Sequence, residues 1–211
     1  MTKVIILDFW GTIIEQGVRS PLKQVQQILR IDMPFSEFVV RFEQVFFTEV
    51  FPDLRSGFEA VLREFGVKAP PFVIEKLIGM WNKNRLLAQP FPDTISTLED
   101  LSKDYKLVIL SNTDGFSVPS VLEKFHIEKH FSYVYLSFKE GMLKMDPESF
   151  RKIFTELSVT AEDCVMIGDS LESDMKGAEL AGVRGILLDR RGTRDYPEKI
   201  SSLSEIRAKL G

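Results

Sequence analysis

Five short runs, almost wholly apolar and rich in β-formers, recur along the chain. They are Val4-Ile5-Ile6-Leu7, Lys106-Leu107-Val108-Ile109-Leu110, Tyr133-Val134-Tyr135-Leu136, Cys164-Val165-Met166-Ile167 and Gly185-Ile186-Leu187-Leu188. A strand wetted on one face alternates apolar and polar residues, whereas an unbroken apolar run has both faces covered. Helical patterns lie between the later runs, clearest at Val118, Val121, Leu122, Phe125 and at Phe150, Ile153, Phe154, Leu157. Strands alternating with helices in this way predict an α/β fold, a parallel sheet sandwiched between helical layers.

The first run stands apart from the others. Residues 16–89 contain helical patterns and no convincing strand. Leu22, Val25, Ile28 and Leu29 follow Pro21. Phe35, Phe38, Val39, Phe42, Val45, Phe46 and Val50 fit one apolar stripe and predict a helix over about 34–51. Phe58, Val61, Leu62 and Phe65 predict a third helix, stopped at Gly66, and Val73, Leu77, Met80 and Trp81 a fourth, opened by Pro70-Pro71. The economical division is a core domain of 1–15 plus 90–211, with a helical bundle, 16–89, inserted after the first strand. Gln89-Pro90 and Phe91-Pro92 mark the return.

Composition narrows the class. The chain is 44% hydrophobic and 27% charged, which is globular rather than disordered. A net charge of −4 gives no general attraction to nucleic acid or to an anionic membrane. The lone cysteine, Cys164, leaves no intrachain disulfide or Cys-rich metal site and is expected in the core. No segment approaches the roughly 18 apolar residues of a membrane span, and the first strand is interrupted by Asp8. The expectation is a cytoplasmic protein, monomeric or homodimeric. Phenylalanine is crowded into the first half of the chain, and those outside the helical stripes, such as Phe47, fit either the cleft between bundle and core or a dimer surface.

In an open parallel sheet, function gathers at the carboxyl ends of the strands. Those ends carry Asp8-Phe9-Trp10-Gly11-Thr12, Ser111-Asn112-Thr113-Asp114 and Gly168-Asp169-Ser170-Leu171-Glu172-Ser173-Asp174, with Lys144 in a Gly141–Pro147 segment ahead of a helix. Three carboxylates on one edge repel unless a cation lies among them. Hard oxygen ligands suit Mg²⁺. Lys144, a Ser111 hydroxyl and loop amides supply donors for phosphate oxygens. Taken singly, each acid also fits a turn or helix cap.

In order and character these four segments resemble the haloacid dehalogenase superfamily of hydrolases. Asp8-Phe9-Trp10-Gly11-Thr12 is similar to its Asp-x-Asp-Gly-Thr. Ser111 with Asn112 is similar to its second motif, Lys144-Met145-Asp146-Pro147 to its Lys-Pro-Asp-Pro, and Gly168-Asp169 with Asp174 to its Gly-Asp-x-x-x-x-Asp. The resemblance implies a Rossmannoid core with a mobile helical cap. It implies Asp8 as a nucleophile forming a covalent intermediate, with Lys144 and Ser111 beside it. Ser111, Asn112, Lys144, Gly11 and Thr12 would hold phosphate. Asp8, the Trp10 backbone carbonyl, Asp169 and Asp174 would hold Mg²⁺.

Trp10 is the departure. Family phosphatases carry a second Asp there, which protonates the leaving oxygen and then activates water. Indole does neither. Aryl or acyl phosphates, whose leaving groups depart unprotonated, are therefore the expected substrates, unless Glu15 or Asp114 substitutes. Two alternatives stand beside a Mg²⁺-dependent phosphatase. One is a metal-independent haloacid dehalogenase, whose family members use an aromatic residue at that position and a cap arginine that Arg41 matches in spacing. The other is a non-catalytic module that binds a phosphorylated ligand. Cap candidates for substrate contact are Arg19, Arg41, Arg55 and Trp81.

Overall fold

A computed structural model describes residues 2–210, and in it the five apolar runs form one sheet. Strands β1 (Val4–Leu7), β4 (Lys106–Ser111), β5 (Phe131–Leu136), β6 (Cys164–Gly168) and β7 (Arg184–Leu188) are joined at the edge by a two-residue strand, β8 (Lys199–Ile200). The order is β5-β4-β1-β6-β7-β8, parallel throughout. β1 is central, and its residues divide between the faces. Ile5 and Leu7 point into a layer with helices α5 (Thr94–Leu101), α6 (Ser117–Phe125) and α10 (Ile206–Leu210). Val4 and Ile6 point into a layer with α8 (Pro147–Leu157) and α9 (Lys176–Leu180). Every β1 side chain is therefore covered, which is why the run has no polar residue until its end. Cys164 is buried, as expected, and burial pushes its thiol up to about 12. A one-turn helix, α7 (Ser137–Glu140), follows β5.

Between β1 and β4 the chain forms four helices, α1 (Pro21–Leu29), α2 (Phe35–Phe46), α3 (Leu54–Glu64) and α4 (Pro71–Leu87). They share their own apolar cluster, in which Phe42, Phe46, Phe47 and Phe58 surround Trp81 with ring centroids 5.4–6.3 Å away. Phe38 stacks on Phe65, and Phe46 on Phe51. Most of the crowded phenylalanines thus pack inside the bundle, Phe47 also reaches the cleft toward the sheet, and Phe35 and Phe72 are exposed. Helix α2 ends at Phe46, short of the expected residue 51, and Val50 is exposed. Pro52 disfavours helical backbone at Phe51, and Asp53 caps α3 by accepting the Ser56 amide.

A two-residue antiparallel pair, β2 (Ile14–Glu15) with β3 (Gln89–Pro90), lies where the chain leaves and returns. Neither strand is long enough to show a period, and one contains proline.

Candidate active site

The central position of β1 places its end between two others. Asp8 follows the strand directly and donates its amide to the Ile167 carbonyl of β6 (2.9 Å). Ser111 and Asn112 stand at the end of β4 on one side, and Gly168 and Asp169 at the end of β6 on the other. Asp8, Asp169 and Asp174 each present an oxygen, all within 4.8 Å of one another.

Lys144 is buried among them. Its ammonium donates to Asp8 Oδ1 (2.5 Å) and Asp174 Oδ1 (2.6 Å). Burial alone would lower its pKa, but Asp174 and Asp8 outweigh that and hold it above the ordinary lysine range. Burial pushes the Asp8 carboxyl up to about 7; Lys144 opposes this, and Asp174 and Asp169 add to it. Burial and Asp174 push Asp169 up to about 6, against Lys144 and Arg194. Three ionised carboxylates against one ammonium leave two negative charges uncompensated. The oxygen-only donor set and that residual charge fit a hard divalent cation such as Mg²⁺.

Local backbone explains how the acids are aimed. Gly11 has φ +84°, and a Cβ there would lie 2.7 Å from Asp169 Oδ2, so only glycine lets the Trp10–Thr12 loop sit against that carboxylate. The segment after β6 winds in the wider π form over Leu171–Met175, capped by Ser170. This turns Asp174 back to accept the Ser170 amide (3.0 Å). The helix-capping role open to the acids thus falls to Ser170.

The other expected residues divide. Thr12 donates to Asp8 Oδ2 (3.1 Å), so its hydroxyl orients the carboxylate. The Ser111 hydroxyl is buried and has no hydrogen-bond partner among the described residues. Asn112 accepts the Lys144 amide through Oδ1 (2.9 Å) and donates through Nδ2 to Glu43 of α2 (2.8 Å). Trp81 of α4 donates its indole N–H to Asp114 (2.9 Å). Arg41 instead pairs with Glu64, and Arg55 with Glu75, both on the surface of the helical bundle. Neither lines the cavity over Asp8; both are taken up in ion pairs between neighbouring helices, α2 with α3 and α3 with α4.

That cavity, about 200 Å³, is walled by Asp8, Lys144 and Asp174 from the core and by Glu43, Phe47 and Trp81 from the helices. A wider groove of about 590 Å³ adjoins it past Trp10 and Asp169, and contains Gly11, Glu15, Arg19, Arg190, Arg191 and Arg194. Arg190 is held by Asp93 and the Thr12 carbonyl and covers the Phe91 ring. Glu15, offered as a substitute acid, lies in this groove and not in the cavity. Glu43 was not foreseen. A lone glutamate within a helix stripe reads as a solvated charge, and its flanking position between Val39 and Phe47 was the only signal.

Among the described residues no helix is long and apolar enough to cross a membrane. The sequence model of the haloacid dehalogenase-like hydrolase family matches residues 2–182. The glyceraldehyde 3-phosphate phosphatase of Methanothermobacter thermautotrophicus is 32% identical over 139 residues, covering 64% of this chain and 62% of that protein. The human N-acylneuraminate-9-phosphatase is 28% identical over 135 residues, covering 63% of this chain and 54% of that protein. The matched region is thus less than two thirds of the length of either relative. A HAD phosphatase from Thermococcus onnurineus superposes with a TM-score of 0.66 at 25% identity, covering 100% of this chain and 98% of that one. A 2-haloacid dehalogenase from Pseudomonas syringae pv. Tomato superposes with 0.69 at 20% identity, over the same shares, and shows the fold alone.

Proposed function

The chain belongs to the haloacid dehalogenase-like hydrolases, and from that premise we propose that it is a Mg²⁺-dependent phosphatase acting on small phosphomonoesters through an aspartyl nucleophile. The observation that carries this reading is the cluster of buried Asp8 and Asp174, both paired with Lys144, with half-buried Asp169 beside them. Asp8, Asp169, Asp174 and the Trp10 carbonyl would hold Mg²⁺, which supplies positive charge against the phosphoryl oxygens.

The residues then have distinct tasks. Thr12 and Lys144 grip opposite oxygens of Asp8 and so hold it in one orientation for in-line attack. Lys144 also carries positive charge to the equatorial oxygens as negative charge develops there. The unpartnered Ser111 hydroxyl offers a donor at the end of β4, and Asn112 fixes the Lys144 backbone. Trp10 contributes no proton. The cap, taken as 16–89, closes the site from above. A dehalogenase reading loses its cap arginine, because Arg41 is engaged with Glu64. It also leaves the Asp169–Asp174 pair without a task.

The test is hydrolysis of p-nitrophenyl phosphate in Mg²⁺. The native protein should turn over, Asp8→Asn should lose at least about 10³-fold, and EDTA should abolish the rate. Activity that survives EDTA would instead favour metal-independent chemistry. Tight phosphate binding without turnover would mark a binding module.

A further inference from the structure

We propose that Glu43, on α2, is the general acid and base that position 10 lacks. This rests on the phosphatase reading. In an in-line displacement the leaving oxygen departs on the side of phosphorus opposite the nucleophile. Asp8 is in the sheet edge that floors the cavity, so the departing oxygen faces the helical roof, and the proton donor belongs there.

Five carboxyl groups line the cavity: Asp8, Asp114, Asp169, Asp174 and Glu43. Three of them form the cluster around Lys144. Asp114 is fully engaged as an acceptor: Oδ1 takes the Phe116 and Ser117 amides (2.8 and 2.9 Å), and Oδ2 takes the Ser117 hydroxyl (2.7 Å) and the Trp81 indole (2.9 Å). It cannot turn to a substrate. Glu43 is the one that remains, and it comes from the roof.

Its hydrogen bonding is asymmetric in the required way. Asn112 Oδ1 accepts the Lys144 amide, so the other end of that side chain must present N–H groups to Glu43. Glu43 Oε2 is therefore an acceptor, and Oε1 has no hydrogen-bond partner among the described residues. A proton on Oε1 is free to meet a ligand. Burial raises the Glu43 pKa, Lys144 and the Asn112 N–H oppose the rise, and Asp174 adds to it. Those are the charged groups facing it from the core; Asp8 and Asp169 lie across the same cavity.

The proton balance closes over two steps. An Asp8 oxygen bonds to phosphorus, the ester P–O bond breaks, and the departing oxygen takes the Oε1 proton and leaves as the alcohol. Water then attacks the aspartyl phosphate, passing a proton to the Glu43 carboxylate as the Asp8 O–P bond breaks. Inorganic phosphate leaves, and both carboxyl groups return to their starting states.

The experiment compares native protein, Glu43→Gln and Glu43→Asp on p-nitrophenyl phosphate and glycerol 2-phosphate in Mg²⁺. Glu43→Gln should lower kcat/KM for glycerol 2-phosphate about 10²–10⁴-fold. It should leave kcat/KM for p-nitrophenyl phosphate within about threefold, since p-nitrophenolate needs no proton to depart. Its kcat on that substrate should fall, with a burst of one equivalent of p-nitrophenol as the aspartyl phosphate accumulates. The alkaline limb of the native pH profile on glycerol 2-phosphate should vanish in Glu43→Gln, and Glu43→Asp should restore part of the rate. Equal losses on both substrates, or none, would overturn the role of Glu43 while leaving the phosphatase reading intact. A native protein inactive on both substrates would overturn both.

Discussion

At the residue scale, the site is defined by unpaired charge. Asp8 and Asp174 pair with one ammonium while Asp169 stands beside them, and burial with mutual repulsion raises Asp8 to about 7 and Asp169 to about 6. Groups whose pKa rises on folding bind more protons in the folded state. Their contribution to stability is therefore lost as the pH climbs from about 4 to 7. A divalent ion held by the ionised cluster should recover that loss. Thermal melts at pH 5 and pH 8, with EDTA or with 5 mM Mg²⁺, should show a larger rise in Tm from Mg²⁺ at pH 8. An equal rise at both values, or none, would contradict a cation site built from these three acids. Legibility at this scale was uneven. Asp8, Lys144 and Asp169 were visible because each ends an apolar strand or precedes a helix, and Asp174 because its spacing from Gly168-Asp169 resembles a family motif. Glu43 and the bond from Trp81 to Asp114 were not, because both join residues distant in sequence across helices whose docking no local pattern encodes.

At the scale of elements, α4 does two jobs. Trp81 fills the centre of an aromatic box on its own bundle, while its N–H reaches Asp114 at the end of β4. Trp81→Phe keeps a ring in the box and removes that donor. It should lower stability by about 1–3 kcal/mol, the cost of a buried hydrogen bond lost on one side, as read from urea unfolding. No change would mean that the indole bond contributes nothing to holding α4 on the sheet. The five sheet strands could be read from sequence because each is covered on both faces and so unbroken in hydrophobicity. Strands β2, β3 and β8 could not, since two residues carry no period. The end of α2 was misread because Val50 continues the apolar spacing, and Pro52 with the Asp53 cap prevails over it.

For the whole molecule, charge is unevenly spread. The net charge is −4, yet Arg19, Arg191 and Arg194 line the groove beside the cavity with no ion-pair partner among the described residues. Such an arrangement draws anions toward the site through solvent, and salt screens it over about 8–10 Å at physiological strength. The KM for a phosphomonoester dianion should therefore rise several-fold between 20 and 500 mM NaCl with kcat unchanged, and the Arg191→Ala/Arg194→Ala double variant should lose that dependence. A KM that stays flat or falls in the native protein would argue against the groove as an entry path. The Asn112 side chain has a different consequence, for anyone recombining this fold. One amide spans a loop of the sheet and helix α2 of the inserted bundle, bonding the Lys144 backbone at one end and Glu43 at the other. The helical insertion is thus not an exchangeable cassette. A graft from a relative without an acid at that place would leave the amide's N–H groups facing nothing, and the chimera would inherit a lid cut for another lock.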